Sequence, residues 1–199
     1  ATLANAGDVI ILEMTANEQI SQPTVTFLSG SAAITNAGAI TYVNTSGNTW
    51  TAAYTAHASD TGGAVTFSIA FTNLAGIAGI ADIDVDGSSS VTFDKVVPTL
   101  STVAIASNNT PGPITHAKVG HKVIITIVAS EVIAEPQLSF ESGGAAISNA
   151  TAITYTGSGV NWTAEYVAHT NDAEGLVTYS ISFLDAAGNA GVAVTSGDG

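Results

Sequence analysis

These 199 residues contain no cysteine, no arginine and only three lysines, Lys95, Lys118 and Lys122. The first absence excludes a disulfide framework and any thiolate metal site. The scarcity of cations excludes nucleic-acid binding, which needs basic side chains to displace counterions. With 16 Asp and Glu against three Lys, docking on anionic lipid is disfavoured for the same reason. Long apolar runs are also missing. Val123-Ile124-Ile125 stops far short of the ~20 residues a bilayer demands, so direct membrane insertion is not expected. There is no nucleophile elbow, phosphate loop or paired-histidine zinc motif, and the scattered acids offer no carboxylate pair for hydrolysis, so no enzyme is expected. No signal peptide is visible at Ala1, as in a mature or excised chain. Few trypsin-type cleavage sites and no cysteine suit a prokaryotic extracellular surface.

What the chain does have is itself, twice. Ala129-Ser130-Glu131 repeats Ala16-Asn17-Glu18, Pro136 repeats Pro23 and Phe140 repeats Phe27, at an offset of 113. After a one-residue deletion, Trp162 repeats Trp50, Tyr166 repeats Tyr54, His169 repeats His57 and Asp172 repeats Asp60. A period of that length is a whole domain rather than a solenoid unit of about 20–50 residues, and it matches the size prior for two domains.

Within each copy, apolar and polar residues alternate with period two, the signature of half-buried strands. Ile10, Leu12 and Met14 face inward with Glu13 and Thr15 outward; Val123, Ile125 and Ile127 repeat the pattern around Thr126. Val65, Phe67, Ile69 and Phe71 match Val177, Tyr179, Ile181 and Phe183. Turn signals separate the runs, as in Ser46-Gly47-Asn48, Asp86-Gly87 and Gly157-Ser158-Gly159. Strands are predicted at 8–16, 23–29, 39–43, 49–56, 64–72, 79–84 and 90–94, then at 99–106, 121–129, 136–141, 152–156, 161–168, 176–184 and 190–195. The expected fold is all-β: two tandem immunoglobulin-like antiparallel β-sandwiches of Greek-key type, elongated. The predicted domains are residues 1–94 and 95–199. Between them Asp94, Lys95, Val96, Val97 and Pro98 form a short hinge, stiffened because Pro98 biases Val97 to extended geometry.

The two copies are framed differently. Leu100–Ala106 gives the second copy a first strand for which the first copy has no equivalent. Conversely, Ser88–Asp94 gives the first copy a last strand, whereas the second copy's alignment breaks off at Asp198-Gly199. Two explanations are open: excision from a longer array, or completion of each sandwich by strands from neighbouring subunits.

Phe93-Asp94-Lys95-Val96-Val97-Pro98-Thr99-Leu100 followed by Val103-Ala104-Ile105-Ala106-Ser107-Asn108-Asn109 resembles the opening of the tandem repeats of large bacterial immunoglobulin-like (Big-type) surface proteins. Gly120–Glu131 and Val177–Gly191 resemble their later "GDxVTLTFTASE" and "VTFSISFTDxAGNAG" segments. The resemblance covers both copies almost end to end. It implies tandem extracellular modules in adhesins, stalks and fibres, some of which bind calcium at domain junctions. In that layout Glu131, Asp94, Asp185 and Asn189 are the expected calcium ligands. The first copy departs from it: Asp185 becomes Asn73 and Asn189 becomes Ile77, with Glu18 in place of Glu131.

Other candidates read as structural. His57 and His169 each precede an Asp by three residues, but no third ligand or nucleophile accompanies them, and Asp60 and Asp172 suit turns where Asp bonds backbone N–H groups. Trp50 and Trp162 share parity with Tyr54 and Tyr166, as core anchors would, rather than forming sugar-stacking platforms. Asp82-Ile83-Asp84-Val85-Asp86-Gly87 lacks the glycine and terminal Glu of an EF-hand loop. Asn44, Asn108, Asn149 and Asn161 match a glycan-acceptor pattern common by chance in a chain rich in Asn, Ser and Thr.

The sequence therefore predicts a non-enzymatic spacer of a repetitive extracellular, prokaryotic cell-surface protein, an adhesin stalk or fibre. No cofactor is required, with calcium the one metal expected, and the partners are neighbouring copies of the same repeat. The alternative is a filament subunit joined by donor-strand complementation.

Overall fold

A computed structural model describes residues 2–196; Asp198 and Gly199, where the repeat breaks off, lie outside the described residues. The chain divides into two compact units, Ala1–Val96 and Val97–Gly199.

In the first unit the strands are β1 (Thr2–Ala4), β2 (Val9–Thr15), β3 (Thr24–Ser29), β4 (Ala32–Ala33), β5 (Thr41–Ser46), β6 (Thr49–Thr55), β7 (Gly63–Ala70) and β8 (Val91–Phe93). They form a five-stranded sheet in the order β1-β8-β7-β3-β4 and a three-stranded sheet β2-β6-β5. All pairs are antiparallel except β1 with β8, where Thr2, Leu3 and Ala4 run parallel to Val91, Thr92 and Phe93. In the second unit the strands are β9 (Leu100–Ser107), β10 (Lys122–Ala129), β11 (Gln137–Ser142), β12 (Ala145–Ala146), β13 (Thr154–Ser158), β14 (Asn161–Val167), β15 (Val177–Ser182) and β16 (Val194–Thr195). Here both sheets have four strands, β13-β14-β10-β9 and β12-β11-β15-β16. Each unit is an immunoglobulin-like β-sandwich, and among the described residues the only helical pieces are single 3-10 turns at Ala37–Ala39 and Ala150–Ala152.

The alternation seen in sequence builds the cores. Ile10, Ala52 and Tyr54 from one sheet meet Val25, Phe27, Ile69 and Phe93 from the other in the first unit. Val123, Ile125, Ile127 and Tyr166 meet Phe140 and Ile181 in the second. Burying such side chains contributes about 1.5–3 kcal/mol each. An aromatic pair bridges the sheets in both: Phe27 with Tyr54 at 5.9 Å between ring centroids, and Phe140 with Tyr166 at 6.2 Å. Trp162 packs against the second core and donates Nε1–H to the Gly159 carbonyl at 3.2 Å. Trp50 is half-buried at the matching position.

The strand predicted at 79–84 is not formed. That stretch contributes only an isolated bridge, Asp82 with Ile69, and Ala78 just before it bridges Thr72. Ile80 and Ile83 are exposed, and three closely spaced acids, Asp82, Asp84 and Asp86, leave little apolar surface to hold a ladder together. Its counterpart at 190–195 shrinks to Val194–Thr195. Conversely, β1, β4 and β12 are too short to show a period.

Candidate functional site

The repeated His–Asp pairs are turn braces. After β6, Asp60 is buried and accepts the backbone N–H groups of His57 at 2.8 Å and Thr35 at 2.7 Å. Burial pushes its carboxyl up, but those bonds, with Lys95 nearby, outweigh burial and hold it below the ordinary carboxylate range. After β14, Asp172 accepts His169 N–H at 2.7 Å, Ser148 N–H and Oγ–H at 2.8 Å each, and Tyr166 O–H at 2.5 Å. Burial again opposes, and the bonds from Ser148, Tyr166 and His169 win, so Asp172 sits well below its usual value. Burial, with the bond to Asp172, raises the Tyr166 hydroxyl. The imidazoles face their own turns: Nδ1 of His57 accepts Ser59 N–H at 3.1 Å and Nδ1 of His169 accepts Asn171 N–H at 3.2 Å. These hydrogen bonds to the aspartates thus come from backbone and hydroxyl donors, and those to the imidazole Nδ1 atoms from backbone N–H groups two residues on.

The expected calcium ligands occupy the loop after β15 and the residues after β10. Asp185 is buried. Its Oδ1 accepts the N–H groups of Ala187 and Asn189, both at 2.8 Å, and its Oδ2 accepts Asn189 Nδ2–H at 2.8 Å. The glycines of this loop have distinct reasons. Gly188 has φ 93°, a left-handed conformation that side chains resist. A Cβ on Gly191 would lie 2.1 Å from the Phe183 ring, so the ring closes directly over bare backbone. The first unit builds the same loop: Asn73 Oδ1 accepts Ala75 N–H at 3.1 Å and Ile77 N–H at 2.9 Å, and Gly79 lies under Phe71. The brace therefore needs an oxygen but no charge. Asn73 also donates Nδ2–H toward Glu18 Oε1 at 3.4 Å, whereas in the second unit carboxylate oxygens of Glu131 and Asp185 lie within 4.8 Å of one another.

Of the residues expected to form a hinge, Asp94, Lys95 and Val96 are hydrogen-bonded within the first unit. Asp94 N–H donates to the Ala4 carbonyl at 2.8 Å, and its Oδ1 accepts Val96 N–H at 2.9 Å. Lys95 Nζ donates to the Asp60 carbonyl at 2.6 Å. Beyond Val97 and Pro98, Thr99 N–H donates to Ser130 Oγ at 3.0 Å and the Thr99 carbonyl accepts Ser130 N–H at 2.8 Å.

A concavity lined by residues of the first unit alone lies beside β2. β2 has β6 on one side and, among the described residues, no strand on the other. Beside it opens a groove of about 900 Å³ whose walls include Leu12, Met14, Phe67, Phe71 and Val91, with Asp82, Asp84 and Asp86 along the lining. The sequence showed the missing first strand but marked Asp82–Asp86 only as lacking the features of an EF-hand loop; the unpaired β2 alone could have pointed to their place beside a groove. In the second unit β9 occupies the equivalent flank, pairing with β10 so that Ile105 faces Ile125 and Val103 faces Ile127.

No protein-family model matches the chain, and no curated protein does. Among solved structures it is similar to the I-band fragment I67–I69 from titin, at 12% identity and TM-score 0.44 over 98% of this chain and 60% of that one. The N-terminal eight immunoglobulin domains of Down syndrome cell adhesion molecule (17%, TM-score 0.37, 98% and 25% covered) and bovine butyrophilin (10%, TM-score 0.35, 97% and 93% covered) are further cases. The chain thus spans 60% of the titin fragment. The assignment of the fold stands on the sheet topology above, not on these likenesses.

Proposed function

We propose that the chain is a non-enzymatic structural module, a tandem spacer of a repetitive prokaryotic cell-surface protein of the Big-type resemblance. One observation carries this reading: the chemistry-bearing residues that recur in both copies are engaged in holding their own turns. Asp60 and Asp172 brace the turns after β6 and β14, the two histidines cap them, and Asn73 and Asp185 brace a glycine loop. Residues so occupied support a shape rather than a reaction. The acidic surface and scarcity of lysine favour an extracellular setting. Small-angle scattering of residues 1–199 tests the reading: a maximum dimension near two sandwiches end to end is expected, and a folded-back pair would defeat a spacer role.

Calcium is part of the proposal for the second unit. Glu131 and Asp185 supply two carboxylates where the first unit has Glu18 and an amide. Calcium takes about 6–8 oxygens, so this pair is a partial set, to which Asp94 of the hinge and the Asn189 Oδ1 are the expected additions. Calcium should raise the melting temperature of the second unit only, and Asp185→Asn, which copies the first unit, should abolish the effect. Equal melting in calcium and chelator removes calcium from the proposal.

The open flank of β2 favours a second reading, a filament in which copies are joined by added strands. Negative-stain microscopy at rising concentration separates it from a discrete spacer.

A further inference from the structure

We propose that the groove beside β2 is a strand-acceptor site, and that its occupant is an extended, uncharged polypeptide segment with branched aliphatic residues at alternate positions, running antiparallel to β2. Its biological use rests on the strand-joining reading above; the acceptor itself is argued from the duplication within the chain.

The molecule contains its own filled example. β2 and β10 are the same strand by repeat, with Ile10, Leu12 and Met14 corresponding to Val123, Ile125 and Ile127. β10 lies between β14 and β9, and Ile125 and Ile127 are fully buried. Among the described residues β2 has β6 alone, Leu12 and Met14 are only half-buried, and Ile11 is 65% exposed. A long, apolar, unpaired edge is a template for another strand, and strand addition takes affinity from main-chain hydrogen bonds and specificity from pockets for alternate side chains.

The filled example also fixes the chemistry of the occupant. β9, Leu-Ser-Thr-Val-Ala-Ile-Ala-Ser over 100–107, carries no charge. Val103 and Ile105 stand opposite Ile127 and Ile125; Leu100 and Val103 pack against the core, while Ile105 stays exposed on this edge strand. Copied onto the first unit, the Ile105 position faces Leu12, the Val103 position faces Met14 and the Ala106 position faces Ile11. Asp82, Asp84 and Asp86 in the groove lining disfavour an acidic strand.

The absence of cysteine makes a register test clean. The probe is a synthetic peptide of residues 99–109 added to the full chain, with binding read by hydrogen exchange at β2 amides. Ile11→Cys and Glu13→Cys chains, altered on the outward face of β2, are then mixed with peptides carrying Ala106→Cys or Ala104→Cys. Directly opposed positions lie within disulfide reach, and diagonal ones do not. The expected result is protection of β2 by the peptide, with Ile11→Cys trapping Ala106→Cys several-fold faster than Ala104→Cys, and Glu13→Cys the reverse. Absence of β2 protection in the unaltered chain, or indifferent trapping, overturns the proposal. Dimerisation of the chain through β2 that excludes the peptide also overturns it, since the occupant would then be the β2 edge of a second copy. Registered binding by a chain that stays monomeric at every concentration supports the acceptor and sinks the filament reading; filaments that the peptide dissolves support both.

Discussion

One strand, built twice, ends in two environments. In the second unit β10 lies between β14 and β9, and its inward side chains disappear from solvent. In the first unit β2 has an equivalent inward triad and, among the described residues, a single neighbour. The other sheets differ in the opposite sense. β8 joins β7 through Gly63–Phe93 and Ala64–Thr92, and among the described residues nothing pairs at the matching Gly175 and Leu176. The sandwiches thus divide their strands three and five against four and four. Burial of a strand is set by its neighbours as much as by its own residues, and equal sequences need not be equally stable.

The largest test of that difference is Ile127→Ala against Met14→Ala. Ile127 is fully buried, so truncation should cost about 2–5 kcal/mol; Met14 lines an open groove and should cost under about 2 kcal/mol, the low end of that range. Urea unfolding followed by fluorescence checks this, with Trp50→Phe leaving a single reporter in the second unit and Trp162→Phe a single reporter in the first. Equal losses would mean the open flank is filled in solution.

Gly191→Ala and Gly79→Ala should come next. Each places a methyl against a phenylalanine ring, a clash of the kind that costs about 1–3 kcal/mol. The two loops are built alike, so the comparison should vanish: similar losses are expected, and a tolerant Gly79 would mean Phe71 moves freely into the groove.

Acid is a milder probe. Asp60 and Asp172 have folded-state pKa values below the ordinary 3.8. The stability they contribute is present above the unfolded value and is lost as pH falls through the folded one. Urea midpoints should therefore decline from about pH 5 to about pH 2. Asp172→Asn should flatten the decline of the second unit and leave the first unchanged; a flat profile in the parent chain would show that the braces do not depend on charge. The smallest contrast is at tryptophan. Trp50 Nε1 is buried with no hydrogen-bond partner among the described residues, whereas Trp162 Nε1 has Gly159. Trp162→Phe should cost more than Trp50→Phe by roughly 0.5–1.5 kcal/mol, read as a difference in urea midpoints by far-UV circular dichroism.

Much of this was legible in the sequence. Alternation gave the inward face of each long strand, because period two is a property of the strand itself. It misjudged 79–84, where Asp82-Ile83-Asp84 satisfied the pattern but the pairing with β7 stops at the single Asp82–Ile69 bridge. Nor could it place Thr2–Ala4, a strand too short for a period, which pairs with β8 from the far end of its unit. At the candidate site the sequence identified Asp185 and Asn189 as special without distinguishing ligand from brace. That distinction lies in hydrogen-bond direction: both Asn189 N–H groups point at Asp185, and Asn73 performs the same bracing without charge.

The parallel pairing of β1 with β8 has a mechanical side. These are the first and last strands of their unit, so tension applied at the two ends of that unit pulls them along their lengths in opposite senses. Thr2, Leu3 and Ala4 are opposed to Val91, Thr92 and Phe93, and such a load strains those rungs together in shear instead of opening them one after another. A short clasp placed this way resists pulling better than its three residues would suggest, and it yields all at once when it yields.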